Sequence, residues 1–528
     1  MKKALVAVLS LAMILTACTA ASDSDDASNS FCPKVERTKV DFSVANDVVF
    51  ALKEYSVFQD TAQDPEHLLN SGLETVFRFL GVRSSNIPQW ARDIVEEEVQ
   101  RANNVDNLNF AVLNDVVDRL RDNPKYDDLN DPSRVEELLD AFIRGIIDGV
   151  GDPFANYIQA EDWILMDRGQ RTFTGSFVGM GVTLSQNSRG EISVSSVMTG
   201  SPAERSGLKT GDAILSVNGL DATECSNRQF SLRLRAIEDL ALKLEIAREE
   251  FGTTERETME IDLAREEIPQ PNLATYPGVD LPDGRGSTLD DIPYRCGRSG
   301  GLGDPCPFDD ENGDPKIFYI QLRSFTQQSA EDLRYVLENI DQSQFEGVVF
   351  DIRDNGGGLV RAWIDMANML MSTDGYIRVE RTADGVTTRT RGTEGSLLRE
   401  DLPMAIIMNG DSYSASEALA AALRDNGRAV IVNREKSSGG KGTTNRYLSL
   451  RDGDYGALYV SIQYFLTPNE EMIEKMDTNG DGHYDVGGLA PDIHVPWTNE
   501  DFSKNSRDVN YDRTLKAALE WLEDRFSK

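Results

Sequence analysis

Met408 to Asn445 reads M-N-G-D-S-Y-S-A-S-E-A-L-A-A-A-L-R-D-N-G-R-A-V-I-V-N-R-E-K-S-S-G-G-K-G-T-T-N. The apolar run Ala405 to Met408 leads into it and predicts a buried strand. Glu417 to Arg424 is rich in Ala and Leu and predicts a helix, with Gly427 as its stop. Ala429 to Val432 predicts the next strand. Ser412, Ser414 and Ser416 then lie in a strand-to-helix turn, where unpaired N–H groups meet the positive end of the helix dipole. Such a turn can carry a nucleophile and an oxyanion site. The three histidines, His67, His483 and His494, are all distant in sequence. Lys441, between Gly440 and Gly442, is nearer, and a buried lysine held neutral can take a serine proton. On spacing alone the plainer reading is an N-cap followed by a solvated turn.

Three further motifs bear on that choice. Gly347 to Leu359 reads G-V-V-F-D-I-R-D-N-G-G-G-L, Tyr464 to Pro468 reads Y-F-L-T-P, and Gly488 to Val495 reads G-L-A-P-D-I-H-V. With S-A-S-E and G-K-G, in this order, they resemble the C-terminal processing peptidases, also called tail-specific serine proteases. The resemblance implies that Ser414 is the nucleophile and Lys441 the general base, with Asn445 orienting the lysine amine. It places the oxyanion between the N–H groups of Gly357 and Ala415, with Gly358 as second choice. It implies no catalytic cofactor. Three features depart from the family pattern: Asn445 stands where glutamine is usual, Gly356 where proline is usual, and Lys436 to Gly439 lengthen the gap between Ser414 and Lys441.

Phe173 to Glu267 predicts short strands separated by turns. Val178-Gly179-Met180-Gly181-Val182 resembles the carboxylate-binding loop of a PDZ domain. Gly200-Ser201-Pro202-Ala203, Gly207-Leu208, Gly211-Asp212 and Val217-Asn218-Gly219 continue the pattern. Successive loop N–H groups can hold a terminal carboxylate, and a strand edge can take an extended peptide. The expected partners are protein substrates with apolar C-terminal tails.

The 528 residues exceed what one core organises. The expected architecture is multidomain α+β. It comprises a lipoprotein signal peptide (1–17), a lipid-anchored flexible tether (18–35), a helical N-terminal region (36–168), a PDZ-like domain (169–268), a Gly/Pro/Asp-rich insertion (269–315), an α/β serine peptidase core (316–500) and a C-terminal helix (501–528). Within the core, Ser329 to Asp332 reads as a capping box opening a helix. A net charge of −35, from 54 Lys and Arg against 89 Asp and Glu, excludes a basic footprint for nucleic acid.

Lys2 and Lys3 precede an apolar stretch too short to span a bilayer. Leu15-Thr16-Ala17-Cys18 resembles a bacterial lipobox, which implies acylation at Cys18 and membrane anchoring by lipid. Thr19 in place of aspartate implies the outer membrane, with the body facing the periplasm. Four cysteines remain, and three pairings are open. Cys296–Cys306, closing a small Gly-rich loop, is the preferred one, and it leaves Cys32–Cys225. The competing functional reading is an envelope scaffold that binds tails through its PDZ domain and carries a degenerate peptidase body.

Asp477 to Asp485 reads D-T-N-G-D-G-H-Y-D. Asp477, Asn479 and Asp481 fall at the first, third and fifth positions of a calcium loop, with the His483 carbonyl and Asp485 at the seventh and ninth. The twelfth position is Gly488, so the bidentate glutamate is missing. The alternatives are a weak structural calcium site and an ordinary acidic turn. Under the first, millimolar calcium raises the melting temperature, and Asp477→Ala with Asp481→Ala removes the shift. An equal shift in the double variant, or none in the unmutated protein, leaves an ordinary turn.

Overall fold

The computed structural model describes residues 30–32, 40–58, 61–160, 162–163, 166, 176–198, 200–223, 225–237, 240–249, 256–269, 272–279, 281, 306–476, 487–498 and 512–526. Cys18, Cys296 and the span Asp477, Asn479, Asp481, His483 and Asp485 lie outside the described residues. The chain forms two compact units, residues 1–34 with 180–265 and residues 35–179 with 266–528.

The larger unit is built on a six-stranded sheet. Its order is Leu273–Tyr276, Ile317–Leu322, Gly347–Asp351, Met404–Met408, Ala429–Asn433 and Ile493–His494. All pairs after the first are parallel, as expected for alternating strands and helices. Both faces are covered, so its central strands are continuous apolar runs. Phe318, Ile320, Val348, Phe350, Ile406 and Met408 point into a core shared with three helices, Gln327–Asn339, Val360–Leu370 and Ala415–Asp425. Tyr319, Val349, Ala405 and Ile407 point the other way, onto the Arg513–Phe526 helix. The predicted strand, helix and strand of the 408–445 stretch are therefore present, and Gly427 takes φ 73° just past the helix end.

One predicted helix start is displaced. The cap of Gln327–Asn339 is Thr326, whose hydroxyl accepts the Ser329 N–H at 3.0 Å while Ser329 Oγ accepts the Thr326 N–H at 2.9 Å. Ser329 is thus the third helical residue of the box and not its opener.

The helical N-terminal region is present, in the helices Val44–Tyr55, Pro65–Phe79, Gln89–Ala102, Leu113–Arg121 and Pro132–Val150. It does not stand as a domain of its own. The strand Asn156–Ile158 pairs with Ala457–Leu466, and Leu450, Leu458 and Val460 share its core. The second sheet, Asn156–Ile158, Ala457–Leu466, Tyr376–Thr382 and Thr387–Arg391, with Thr443–Ser449 also on Ala457–Leu466, thereby joins the helical region to the C-terminal part of the same unit.

The smaller unit holds a sheet in the order Val182–Gln186, Ile192–Val197, Ala213–Val217, Ala241–Glu249 and Arg256–Ala264, with Leu220–Asp221 beside Ala213–Val217. The helix Asn227–Ala236 lies against its Val182–Gln186 edge, where Asn227 Nδ2 donates to the Leu184 carbonyl. Ser30 to Cys32, assigned above to the tether, belong to this unit. Phe31 is buried against Phe230, its N–H donates to the Asp221 carbonyl, and Cys32 is bonded to Cys225 with Cα atoms 5.6 Å apart. An apolar side chain with a sheet partner does not stay in a tether. Cys306 is also disulfide-bonded.

Candidate active site

The site forms at the carboxyl ends of two adjacent parallel strands, Gly347–Asp351 and Met404–Met408. In open α/β sheets this is where ligands gather. After the second strand the chain turns sharply into Ala415–Asp425, with Ser414 at the helix N-terminus at φ 57°, ψ −115°. A non-glycine residue there is strained, and the surroundings hold it. The Ser414 N–H donates to Glu417 Oε2 at 2.8 Å, and the Tyr413 N–H donates to the Asn355 carbonyl at 3.0 Å.

The three serines of the turn are not equivalent. Ser412 Oγ donates to the Ile352 carbonyl and Ser416 Oγ to the Asn355 carbonyl, each at 2.8 Å, and both side chains are buried. They fasten the turn to the loop after Gly347–Asp351. Ser414 is only partly buried, and its hydroxyl is not tied to that loop.

Gly357 runs against the turn. A Cβ built there would lie 2.9 Å from Ser414 Cβ, and φ is 101°, so glycine is required twice over. Its N–H, expected to face the oxyanion, instead donates to Asn355 Oδ1 at 2.9 Å. The carboxamide of Asn355 captures it because Asn355 is itself fixed, donating from Nδ2 to the Leu322 carbonyl. Among the described residues the N–H groups of Ala415 and Gly358 have no such partner.

Lys441 lies in the loop before Thr443–Ser449. Its amine donates to the Thr443 carbonyl at 3.1 Å and to Asn445 Oδ1 at 2.5 Å, and it sits 4.4 Å from the Phe154 ring centroid. Asn445 therefore reaches the amine although it is one methylene shorter than glutamine. A register shift between Thr444 and Asn445 against Ala457–Leu466 accompanies this reach. Burial pushes the Lys441 amine below the ordinary lysine range, while the charges of Glu474, Asp152 and Glu417 pull it part of the way back. Burial likewise pushes the Glu474 carboxyl up to about 7. Lys441 and Ser414 are not hydrogen-bonded to each other in this structure.

The loop before Lys441 is not slack. Ser438 is fully buried, donates to Glu417 Oε1 at 2.5 Å and accepts the Leu489 N–H at 2.8 Å. Gly439 passes the Tyr413 ring so closely that a Cβ would lie 2.2 Å from it. Ser438 and Gly439 thus fold inward and return the chain to the Ser414 turn.

Residues 316–495 match the model of peptidase family S41, and residues 170–247 match that of the PDZ domain. Residues 316–495 are a peptidase family S41 domain. Curated relatives of the chain include carboxyl-terminal-processing peptidase 3, chloroplastic, of Arabidopsis thaliana, 26% identical over 69% of this chain and 61% of that one. The carboxyl-terminal-processing protease of Synechocystis is 27% identical over 73% of this chain and 78% of that one. The carboxy-terminal processing protease CtpA of Bacillus subtilis is 24% identical over 64% of this chain and 62% of that one. The chain spans less than two thirds of the first and third of these relatives.

The site also holds residues that the motifs did not single out. Glu417 is fully buried and accepts four donors, from Ser414, Ser438, Gly440 and Lys441. Its signal was present, since S-A-S-E has the spacing of a capping box. Glu474 accepts the Gly442 N–H at 2.8 Å, with no room for a Cβ at Gly442. Asp152 and Phe154 come from the end of the helical region, where Asp152-Pro153 reads only as a helix stop.

In the PDZ unit, the Met180 carbonyl accepts the Ala203 N–H and the Gly181 carbonyl accepts the Met198 N–H, both at 2.9 Å. Met180 is buried, Gly181 takes φ 79°, and Val182 starts the edge strand. Val178 and Gly179 end the strand Ser176–Gly179, which pairs with Glu266–Pro269.

Proposed function

We propose that this chain is a serine endopeptidase that recognises protein C-termini and cleaves near them by acyl transfer. Ser414 attacks the scissile carbonyl, and Lys441 takes its proton and returns it to the leaving amine. Asn445 and the Thr443 carbonyl hold the lysine. The N–H groups of Ala415 and Gly358 face the oxyanion, and that of Gly357 joins them if Asn355 releases it. No catalytic cofactor enters. The observation that carries the reading is the buried Lys441 amine, held by one amide oxygen and one carbonyl and, among the described residues, paired with no carboxylate. Burial of a lysine without an ion-pair partner is destabilising and serves a base that must be neutral to work.

The N–H row of Met180 to Val182 is the proposed seat of the substrate carboxylate. The carbonyls of Met180 and Gly181 turn inward, which leaves the N–H side of the loop for a ligand. The preference for apolar tails, the acylation of Cys18 and the outer-membrane, periplasm-facing placement belong to this proposal; the last two rest on the leader sequence. Among the described residues no helix is long and apolar enough to cross a membrane.

The missing Ser414–Lys441 hydrogen bond favours a second reading, a tail-binding scaffold. One experiment separates them. Proteins differing only in an apolar, charged or amidated tail are incubated with the enzyme and followed by mass spectrometry. Cleavage of the free apolar tail is expected, and amidation is expected to weaken binding by about tenfold or more, because loop donors are left unpaired. Binding without cleavage supports the scaffold. Equal binding of amidated and free tails removes the PDZ loop from recognition.

A further inference from the structure

The hold on Lys441 continues beyond Asn445. Asn445 Nδ2 donates to Ser461 Oγ at 3.0 Å. Ser461 Oγ donates to Asp152 Oδ1 at 3.0 Å, and the Ser461 N–H donates to Asp152 Oδ2 at 3.0 Å. Asp152 and Ser461 are both buried, and 309 residues separate them in the chain.

We propose that Asp152, acting through Ser461 and Asn445, is a positioning residue for the Lys441 amine. The inference rests on the Ser–Lys reading above and deepens it. A carboxylate only accepts hydrogen bonds, so it draws the single proton of the Ser461 hydroxyl to itself. The Ser461 oxygen is then left as an acceptor. That fixes the Asn445 carboxamide with its NH2 toward Ser461 and its oxygen toward Lys441. Without the carboxylate the Ser461 proton is free to turn toward Asn445 or toward Thr443 Oγ1, 3.3 Å away. The amide is then free to flip, and its NH2 would face the amine as a second donor.

The same carboxylate sets the other wall. Asp152 Oδ1 accepts the Phe154 N–H at 2.9 Å and the Ala155 N–H at 3.2 Å. This turn places the Phe154 ring beside the amine. One side chain just past the Pro132–Val150 helix thus acts on both the Asn445 and the aromatic contact of Lys441. The charged groups that act on the amine are Glu474, Asp152 and Glu417, and Asp152 is the one of the three that is also linked to it through Asn445.

The test compares Asp152→Asn and Ser461→Ala with the unmutated protein on a tail substrate, measuring kcat, KM, the acid limb of kcat/KM and Tm, with Lys441→Ala as control. Both variants are expected to lower kcat by about 10–100-fold, the range for lost support of a functional side chain, with KM little changed. The acid limb separates positioning from packing. Asp152→Asn removes a negative charge that favours the ammonium, so its limb moves to lower pH. Ser461→Ala keeps the charge, so its limb stays in place while kcat falls. Ser461→Ala deletes one hydroxyl and keeps the backbone bond to Asp152, so it reports even if Asp152→Asn folds poorly. Unchanged kcat and acid limb in both variants overturn the inference, as does activity lost only in step with Tm. An active Lys441→Ala overturns the Ser–Lys reading itself, whereas an inactive one with both relay variants unaffected overturns the relay alone.

Discussion

Ser414→Ala is expected to lower cleavage by on the order of 10⁴-fold or more while moving Tm by no more than a few degrees. Ser414 is not one of the hydroxyls that fasten the turn, so its removal takes chemistry and leaves the scaffold. Ser412→Ala and Ser416→Ala are expected to do the reverse. Each deletes a buried donor to a backbone carbonyl, at about 1–3 kcal/mol, and leaves a measurable rate. An inactive Ser412→Ala beside an active Ser414→Ala would sink the assignment. Lys441 adds a pH signature. Its pKa is lowered by burial, and only the neutral amine can accept a proton, so kcat/KM should fall on the acid side through that lowered value. A profile flat from about pH 5 to 9 counts against a lysine base.

The same shift makes a stability statement. The folded pKa lies below that of the unfolded chain, so between the two the unfolded chain binds more protons and stability rises with pH. Below that window the buried lysine is a full cost. Lys441→Met, which keeps most of the volume, should therefore be inactive and more stable than the unmutated protein at pH 7.

Local pattern made the Ser414 turn legible. The strand, helix and strand around it are continuous apolar or Ala-rich runs, closed by Gly427, and local physics decides such elements. Glycine placement carried Gly357 and the PDZ loop for the same reason. What the sequence does not show is pairing across distance. The bond between Asp152 and Ser461 spans 309 residues, and the turn at Asp152-Pro153 has every local reason to be a plain helix stop. Gly357 reads as an oxyanion donor until the competing Asn355 carboxamide is placed beside it in space as well as in sequence. Ser30 to Cys32 read as tether because their partners, Asp221, Phe230 and Cys225, lie about 190 residues downstream, and only Cys32 advertises its partner by residue type. The apolar stripes of the helical region do not say that Leu450, Leu458 and Val460 complete their core.

Glu417 carries the second large effect. Its carboxylate is fully buried and joins three segments. Oε2 accepts the N–H of Ser414 at 2.8 Å and of Lys441 at 2.9 Å, so one oxygen links the backbones of nucleophile and base. Oε1 accepts Ser438 Oγ at 2.5 Å and the Gly440 N–H at 2.7 Å, which fixes the loop before Lys441. Burial pushes the carboxyl up, and the four donors oppose that push. Removing the group strands four donors, two of them in fully buried bonds, at about 1–3 kcal/mol for each buried one, offset by relief of the buried charge, for a net loss on the order of 3 kcal/mol. Ser414 also loses the bond that holds its N–H in a strained conformation, so kcat should fall further than the drop in Tm, roughly 5–10 °C, would explain. Glu417→Gln should be intermediate. An amide offers one acceptor oxygen, and its NH2 meets either two N–H donors or the Gly440 N–H beside a hydroxyl that can turn to accept. The second placement preserves three of the four contacts, including both that link Ser414 to Lys441. Rates that fall from the unmutated protein through Glu417→Gln to Glu417→Ala, with Tm in the same order, are the expected result. Full activity in Glu417→Ala would show that nucleophile and base keep their places without the carboxylate between them.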